Sequence, residues 1–174
     1  MLKRFLIMAS NGFEEDELFV PLELLRSRGC KVAVAAPGPD PIRATVLDRR
    51  GKFITPDVTI ADARQGDHDA LLLPGGLINP DHLRGRSDAV GLVRRFAGAR
   101  KPIGAICHGP WLLIEANLLR GKRATSWPSI RTDLRNAGAQ VTDGPVETDG
   151  QIVTAVGPTD SAAFAEALLA ATER

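Results

Sequence analysis

The constraint that narrows the fold most is the way short apolar runs alternate with longer amphipathic segments along the chain. Leu2 to Ala9 (LKRFLIMA), Lys31 to Ala36 (KVAVAA), Ala70 to Leu73 (ALLL), Pro102 to Ile106 (PIGAI) and Gln151 to Val156 (QIVTAV) are the apolar runs. Brief continuous runs of this kind read as strands buried on both faces of a parallel sheet. Between them, apolar residues recur at helical spacing. One set is Leu18, Leu22 and Leu25, with Gly29 as a C-terminal stop; others are Val90, Val93 and Ala97, then Leu112, Leu113, Ala116 and Leu119, then an Ala/Leu-rich stretch from Ser161 to Thr172. The alternation predicts an α/β fold, a doubly wound, mostly parallel sheet sandwiched by helices. Ligands of such sheets sit beyond the carboxyl ends of the strands. That directs attention to Ser10 to Glu17, Pro74 to Asp81, Cys107 to Pro110 and Gly157 to Asp160.

At 174 residues, with no repeat, low-complexity tract or linker, residues 1–174 read as a single domain with enough chain for a full core. Lys and Arg number 22 against 21 Asp and Glu, a formal net charge of +1, which argues against a nucleic-acid partner. No apolar run approaches the roughly 20 residues of a membrane span, and Met1 to Ser10 is too short for a signal peptide. The cysteines, Cys30 and Cys107, make neither a disulfide framework nor a metal knuckle, so the expected compartment is a reducing cytoplasm. No metal site and no cofactor is expected, since neither zinc spacing nor a phosphate-binding glycine loop occurs.

The most informative segment is Ala105-Ile106-Cys107-His108-Gly109-Pro110, where an apolar strand stops at a cysteine and a helical pattern (WLLIEANLL) follows. Small residues two before and two after the cysteine suit a tight strand–turn–helix, the form of a nucleophile elbow. Such a turn lifts the sulfur out of the sheet and points helix N-terminal N–H groups at it, which favours the thiolate. A free cysteine is more often a small buried hydrophobe; the elbow context selects the reactive reading for Cys107, whereas Cys30 has none and reads as structural. His108 directly follows the cysteine, so local geometry alone does not make it the base. His68 reads as solvated, and His82 follows Pro80-Asp81 close to the paired glycines.

Glu14-Glu15-Asp16-Glu17 are four acids in succession, as expected for the first turn of a helix. Glu14 and Glu17, three apart, share one face. A carboxyl buried beside a cysteine would have its pKa raised and could serve as proton donor to, or hydrogen-bond partner of, the sulfur. Gly75 and Gly76 end the Leu-rich strand without Cβ obstruction, which suits an oxyanion hole. With Gly109 they are the candidates for oxyanion or substrate binding.

Taken together, Phe13-Glu14-Glu15-Asp16-Glu17-Leu18 with Pro21, Leu73-Pro74-Gly75-Gly76, Asn79-Pro80-Asp81, Ala105 to Pro110, and Thr125-Ser126-Trp127-Pro128-Ser129-Ile130 with Asp133-Leu134 and Asn136 to Ala139 resemble the PfpI family of intracellular protease/amidase-like proteins. That family lies in the ThiJ/PfpI superfamily, with a flavodoxin-like, class I glutamine amidotransferase-like fold. The resemblance covers essentially the whole chain. It implies Cys107 as nucleophile, Glu17 as the acid hydrogen-bonded to it, Glu14 as its neighbour, and His108 as the catalytic histidine. It further implies Asp81 as an acid completing a triad from an adjacent subunit, an oxyanion hole of Gly76 and the His108 N–H, and a homodimer or larger assembly. One departure is Ala155-Val156-Gly157-Pro158-Thr159-Asp160, where many members carry Ser-Arg-x-Pro.

Two classes of function follow. In the first, Cys107 attacks a carbonyl, either in a cysteine hydrolase acting on a peptide or amide or in a glyoxalase/deglycase-type stress enzyme acting on a small aldehyde. In the second, the protein is not an enzyme but a redox sensor using oxidation of Cys107, or a chaperone in which the site is vestigial.

Overall fold

The computed structural model describes residues 2–174. The chain runs through β1 (Arg4–Met8), β2 (Phe13–Glu14), α1 (Glu15–Ser27), β3 (Lys31–Ala36), a hairpin of β4 (Ile42–Val46) and β5 (Arg49–Ile54), then β6 (Val58–Thr59) and β7 (Ala70–Leu73). It continues with α2 (Ile78–Arg84), α3 (Ser87–Gly98), β8 (Ile103–Ile106), α4 (Pro110–Glu115), β9 (Arg123–Ala124), α5 (Arg131–Asn136), β10 (Gln140–Val141), β11 (Val146–Asp149), β12 (Ile152–Ala155) and α6 (Ser161–Ala171). A seven-stranded sheet in the order β11-β12-β8-β7-β1-β3-β6 forms the centre. It is parallel throughout except at β11, which pairs antiparallel with β12.

The five apolar runs are the five inner strands, β3-β1-β7-β8-β12. Taken in chain order this is the 2-1-3-4-5 winding of flavodoxin-like sheets. The strands are apolar on both faces because both are covered. On β1, Leu6 and Met8 join Val93 and Phe96 of α3 and Leu112 of α4, whereas Phe5 and Ile7 join Leu18 and Leu22 of α1 and Phe164 of α6. One close approach depends on glycine: a Cβ on Gly104 would stand 2.8 Å from the Phe164 ring, so α6 presses directly on β8 there. Among the described residues no helix is long and apolar enough to cross a membrane.

Three local expectations change. Glu14 is not on the helix face with Glu17: it caps α1 in extended conformation (φ −70°, ψ 127°) and pairs with Thr45 in a short parallel bridge. The fourth helix ends at Glu115, earlier than its apolar repeat suggests, and Asn117 then turns left-handed (φ 59°). Strand β5 (RRGKFI) of the β4–β5 hairpin is largely exposed and carries no apolar alternation to reveal it; β4 (IRATV) alternates, with Ile42 and Ala44 buried, over only five residues. The hairpin is nonetheless the element that reaches the site.

Candidate active site

The site lies beyond the carboxyl ends of β1, β7 and β8, around the winding reversal between β1 and β7. Cys107 follows β8 with φ 64°, the left-handed region that a non-glycine residue rarely occupies. This is the strand–turn–helix elbow expected from the sequence. The turn is held by the Cys107 N–H donating to the Ala155 carbonyl (3.0 Å) and the Trp127 N–H donating to the Cys107 carbonyl (3.0 Å). Gly109 contributes by its lack of a side chain, since a Cβ there would stand 2.5 Å from the Leu73 carbonyl oxygen. Its N–H donates to the Ile106 carbonyl at 2.8 Å, so Gly109 is not an oxyanion donor.

Glu17 is fully buried on α1, and its Oε2 accepts the Gly75 N–H at 2.7 Å. Gly75 is therefore also occupied, as an anchor for the carboxyl. Among the described residues Oε1 has no hydrogen-bond partner, and the neighbouring side chain that acts on this carboxyl is the Cys107 thiol. Burial dominates and pushes the Glu17 carboxyl up to about 8, against the pull of Cys107 and the Gly75 N–H. Burial and the neighbouring carboxyl push the Cys107 thiol up as well, partly offset by the N–H groups of Gly76 and His108. This corrects the expectation of a thiol simply lowered by the turn: α4 has only six residues, and desolvation outweighs its N-terminus. Neither group is readily charged in so dry a place, and both shifts favour the protonated carboxyl and the neutral thiol at neutral pH.

The N–H groups of Gly76 and His108 act on the sulfur, pulling its pKa down against burial, and that of Gly76 acts on the Glu17 carboxyl too. Gly76 is left-handed (φ 77°), and a Cβ on it would stand 2.3 Å from the Gly12 carbonyl oxygen. Asn79, which the sequence places in a family-like motif without a role, fixes this turn. It is fully buried and donates from Nδ2 to the carbonyls of Pro74 and Gly75 (both 3.0 Å), while Oδ1 accepts the Ser10 N–H at 2.7 Å. Holding the Gly75 carbonyl on one side of the peptide directs the Gly76 N–H to the other. A polar residue in an apolar neighbourhood four positions after the glycine was the available signal.

His108 places Nδ1 3.3 Å from the Cys107 Sγ and Nε2 3.4 Å from the Ser129 Oγ. Its ring meets Trp111 edge-on at 5.1 Å between centroids, and burial lowers its pKa while Asp133 pulls the other way. Asp133 accepts the Trp111 indole N–H at 2.9 Å. Asp81 is exposed on α2 and, among the described residues, makes no hydrogen bond or ion pair with His108 in the same chain. Glu14 is buried at the mouth, its Oε2 accepting the Leu47 N–H (3.1 Å), and burial raises its pKa. The mouth opens into a pocket of about 150 Å³. Its apolar lining is Leu47, Leu77, Trp127 and Pro158; the last three lie in segments that the sequence singles out, whereas Leu47 carries no chemistry to mark it.

The other candidates lie elsewhere. His82 is exposed and borders a small cavity near Ser10 and Pro41. Cys30 and His68 line a larger cleft, about 480 Å³, by Arg4 and Lys31 at the amino ends of β1 and β3. Cys30 is half-buried rather than a core residue, and burial raises its thiol. His68 is likewise half-buried, not solvated, with Nδ1 enclosed and its pKa lowered by burial. Among the described residues no three His, Cys, Asp or Glu side chains gather as a metal-binding group.

Gly75 separates the two members of the buried pair: a Cβ on it would stand 2.5 Å from Glu17 Oε2 and 2.6 Å from Cys107 Cβ. Gly75→Ala should cost about 1–3 kcal/mol of stability by overpacking and shift the pH midpoint of Cys107 alkylation. An unchanged melting temperature with an unchanged midpoint would contradict this placement.

Comparison with known proteins agrees with the fold and the spacing. The DJ-1/PfpI family pattern matches residues 3–171. An uncharacterized protein of Archaeoglobus fulgidus is 42% identical over 166 residues, covering 95% of this chain and 96% of the relative. Among solved structures, DJ-1beta of Drosophila melanogaster superposes with a TM-score of 0.88 at 32% identity, covering 99% of this chain and 90% of that one. A two-domain protein of Anabaena variabilis with DJ-1/ThiJ/PfpI-like and ferritin-like domains gives a TM-score of 0.91 at 32% identity; the match covers 97% of this chain and 47% of that longer one. The chain belongs to the DJ-1/PfpI family.

Proposed function

We propose that the protein is a cysteine-dependent enzyme acting on a small carbonyl compound, a glyoxalase or deglycase rather than a peptidase or amidase. The observation that carries this reading is the left-handed Cys107, whose sulfur meets both a buried carboxyl and two backbone N–H groups. A pocket of about 150 Å³ accommodates a few heavy atoms and not a peptide in extended conformation, which favours the small aldehyde.

In this reading Glu17 keeps its own proton, and as the sulfur attacks the thiol proton passes to His108 Nδ1, 3.3 Å away, which returns it to the carbonyl oxygen. The C–S bond forms, the carbonyl π pair moves to oxygen, and that oxygen takes the N–H groups of Gly76 and His108 and then a proton, giving a hemithioacetal. With a 2-oxoaldehyde, His108, uncharged because burial lowers its pKa, removes the proton from the former aldehyde carbon through Nδ1. Reprotonation at the adjacent carbon gives a 2-hydroxy thioester. Water cleaves the C–S bond to release the 2-hydroxy acid and restores the thiol, so no external oxidant or reductant enters. The same buried carboxyl would equally hydrogen-bond an oxidised Cys107, which is what favours a redox-sensing role as the second reading.

Purified protein should convert methylglyoxal to lactate, with Cys107→Ser slower by about 100-fold or more. Equal rates for the two would end the enzymatic reading. Unmodified Cys107 after peroxide doses that oxidise a control thiol would end the sensing one.

We also propose a homodimer. Leu77 and Ile78, 63% and 60% exposed, sit at the start of α2 beside Asp81, and Leu47 is 78% exposed at the hairpin tip. A second copy covering these side chains would bury Asp81 at the interface, where a partner's His108 could receive it. Sedimentation equilibrium should give twice the chain mass, with Ile78→Lys shifting it to the monomer; a monomeric wild type at tens of micromolar would refute the assembly.

A further inference from the structure

We propose that Glu14 makes the Cys107 pocket select uncharged electrophiles over anionic ones of the same shape. This rests on the reading of Cys107 as the reacting atom and goes further, since it names the charge class of substrate and the residue that sets it. Glu14 is the charged member of the lining, only 8% exposed, and no Lys or Arg joins it there. Its Oε2 accepts the Leu47 N–H at 3.1 Å, a contact that favours the carboxylate and works against the burial that raises its pKa. On the hairpin, Lys52 pairs with Glu15 (Nζ to Oε1, 3.3 Å; its N–H to Oε2, 2.8 Å), and Arg49 and Arg50, which flank the tip, do not line the pocket. Arg43 stacks over Phe53 and donates to the Gly51 carbonyl. On the far side, the loop after β12 supplies Pro158 to the lining, and Asp160 accepts the Gly157 N–H at 3.2 Å. His108, its pKa lowered by burial, adds no positive charge.

An anion entering this pocket loses water, gains no cation and meets a carboxylate in a poorly screened space, whereas a neutral carbonyl compound meets neither penalty. Among the remaining walls, Trp127 and Pro158 offer contact to a short alkyl or aryl arm, Leu47 and Leu77 being the side chains that the proposed dimer covers. The substrate class is therefore a small uncharged carbonyl compound; 2-oxo acids and phosphorylated aldehydes are disfavoured.

Iodoacetamide and iodoacetate test this without reference to turnover, because they differ in charge and hardly in shape. The full-length protein is alkylated with each at about pH 8, above the ordinary carboxylate range, and rates are read at each cysteine by peptide mass. Both are normalised to 2-mercaptoethanol. Cys30, in a cleft with Arg4, Arg26 and Lys31, is the internal contrast in the same digest. Cys107 should prefer iodoacetamide by about fivefold or more, Cys30 should not, and Glu14→Gln should reduce the Cys107 preference to below about twofold. Glu15→Gln should leave it in place. A normalised ratio near one at wild-type Cys107, or the same ratio in Glu14→Gln, would overturn the proposal. Should Glu14→Gln fail to fold, wild type at low salt and at about 1 M salt decides, since screening must narrow an electrostatic gap; a gap that salt does not move overturns it. Loss of methylglyoxal turnover with the charge preference intact would sink only the enzymatic reading. Turnover without the preference would sink only this one.

Discussion

The burial of the Glu17 carboxyl against the Cys107 thiol is the interaction on which the rest of the site depends. Placing two acids side by side at 0% and 5% exposure is unfavourable unless both keep their protons and nearby N–H groups offset part of the burial. The Gly75 N–H meets one oxygen of the carboxyl, and the N–H groups of Gly76 and His108 meet the sulfur. Each of those donors exists because a glycine lets backbone come close, and Asn79 locks the turn that presents them. The outcome is a protonated carboxyl and a neutral thiol held side by side at neutral pH.

The fold supplies this arrangement from three strands that never meet in sequence. β1 delivers the loop that starts α1 and hence Glu17, β7 delivers Gly75 and Gly76, and β8 delivers Cys107. Parallel pairing of β1, β7 and β8 brings their carboxyl ends to one edge, and the packing of Phe164 on Gly104 fixes β8 from behind. The hairpin β4–β5 then closes the mouth, tied down by Glu14 at Leu47 and by Glu15 at Lys52. Rigidity in the sheet and reach in the hairpin are separate jobs, carried by separate parts of the chain.

What could be read from the sequence followed from periodicity and from residue types with few uses. Runs such as KVAVAA and ALLL became strands with the same bounds, because burial on both faces leaves no polar position to blur them. Cys107 stood out because a cysteine between Ile106 and His108-Gly109 has little reason to be there except for the turn. The hairpin was not legible: its strand RRGKFI is mostly solvated, so no alternation marks it. Nor was the fate of individual N–H groups. Gly75, Gly76 and Gly109 look alike on paper, but of the three only the Gly76 N–H acts on the sulfur, since the other two donate to Glu17 and to the Ile106 carbonyl. The thiol's direction of shift also escaped, because a helix N-terminus is visible in sequence and desolvation is not.

The central claim is that Glu17 keeps its proton at neutral pH. Carbon-13 NMR of the glutamate carboxyls, with the Glu17 signal assigned by its loss in Glu17→Gln, measures this directly. The account predicts a signal that remains in the protonated range at neutral pH and titrates with a midpoint of about 8. A Glu17 carboxyl that titrates at the ordinary value of 4.5 would contradict it.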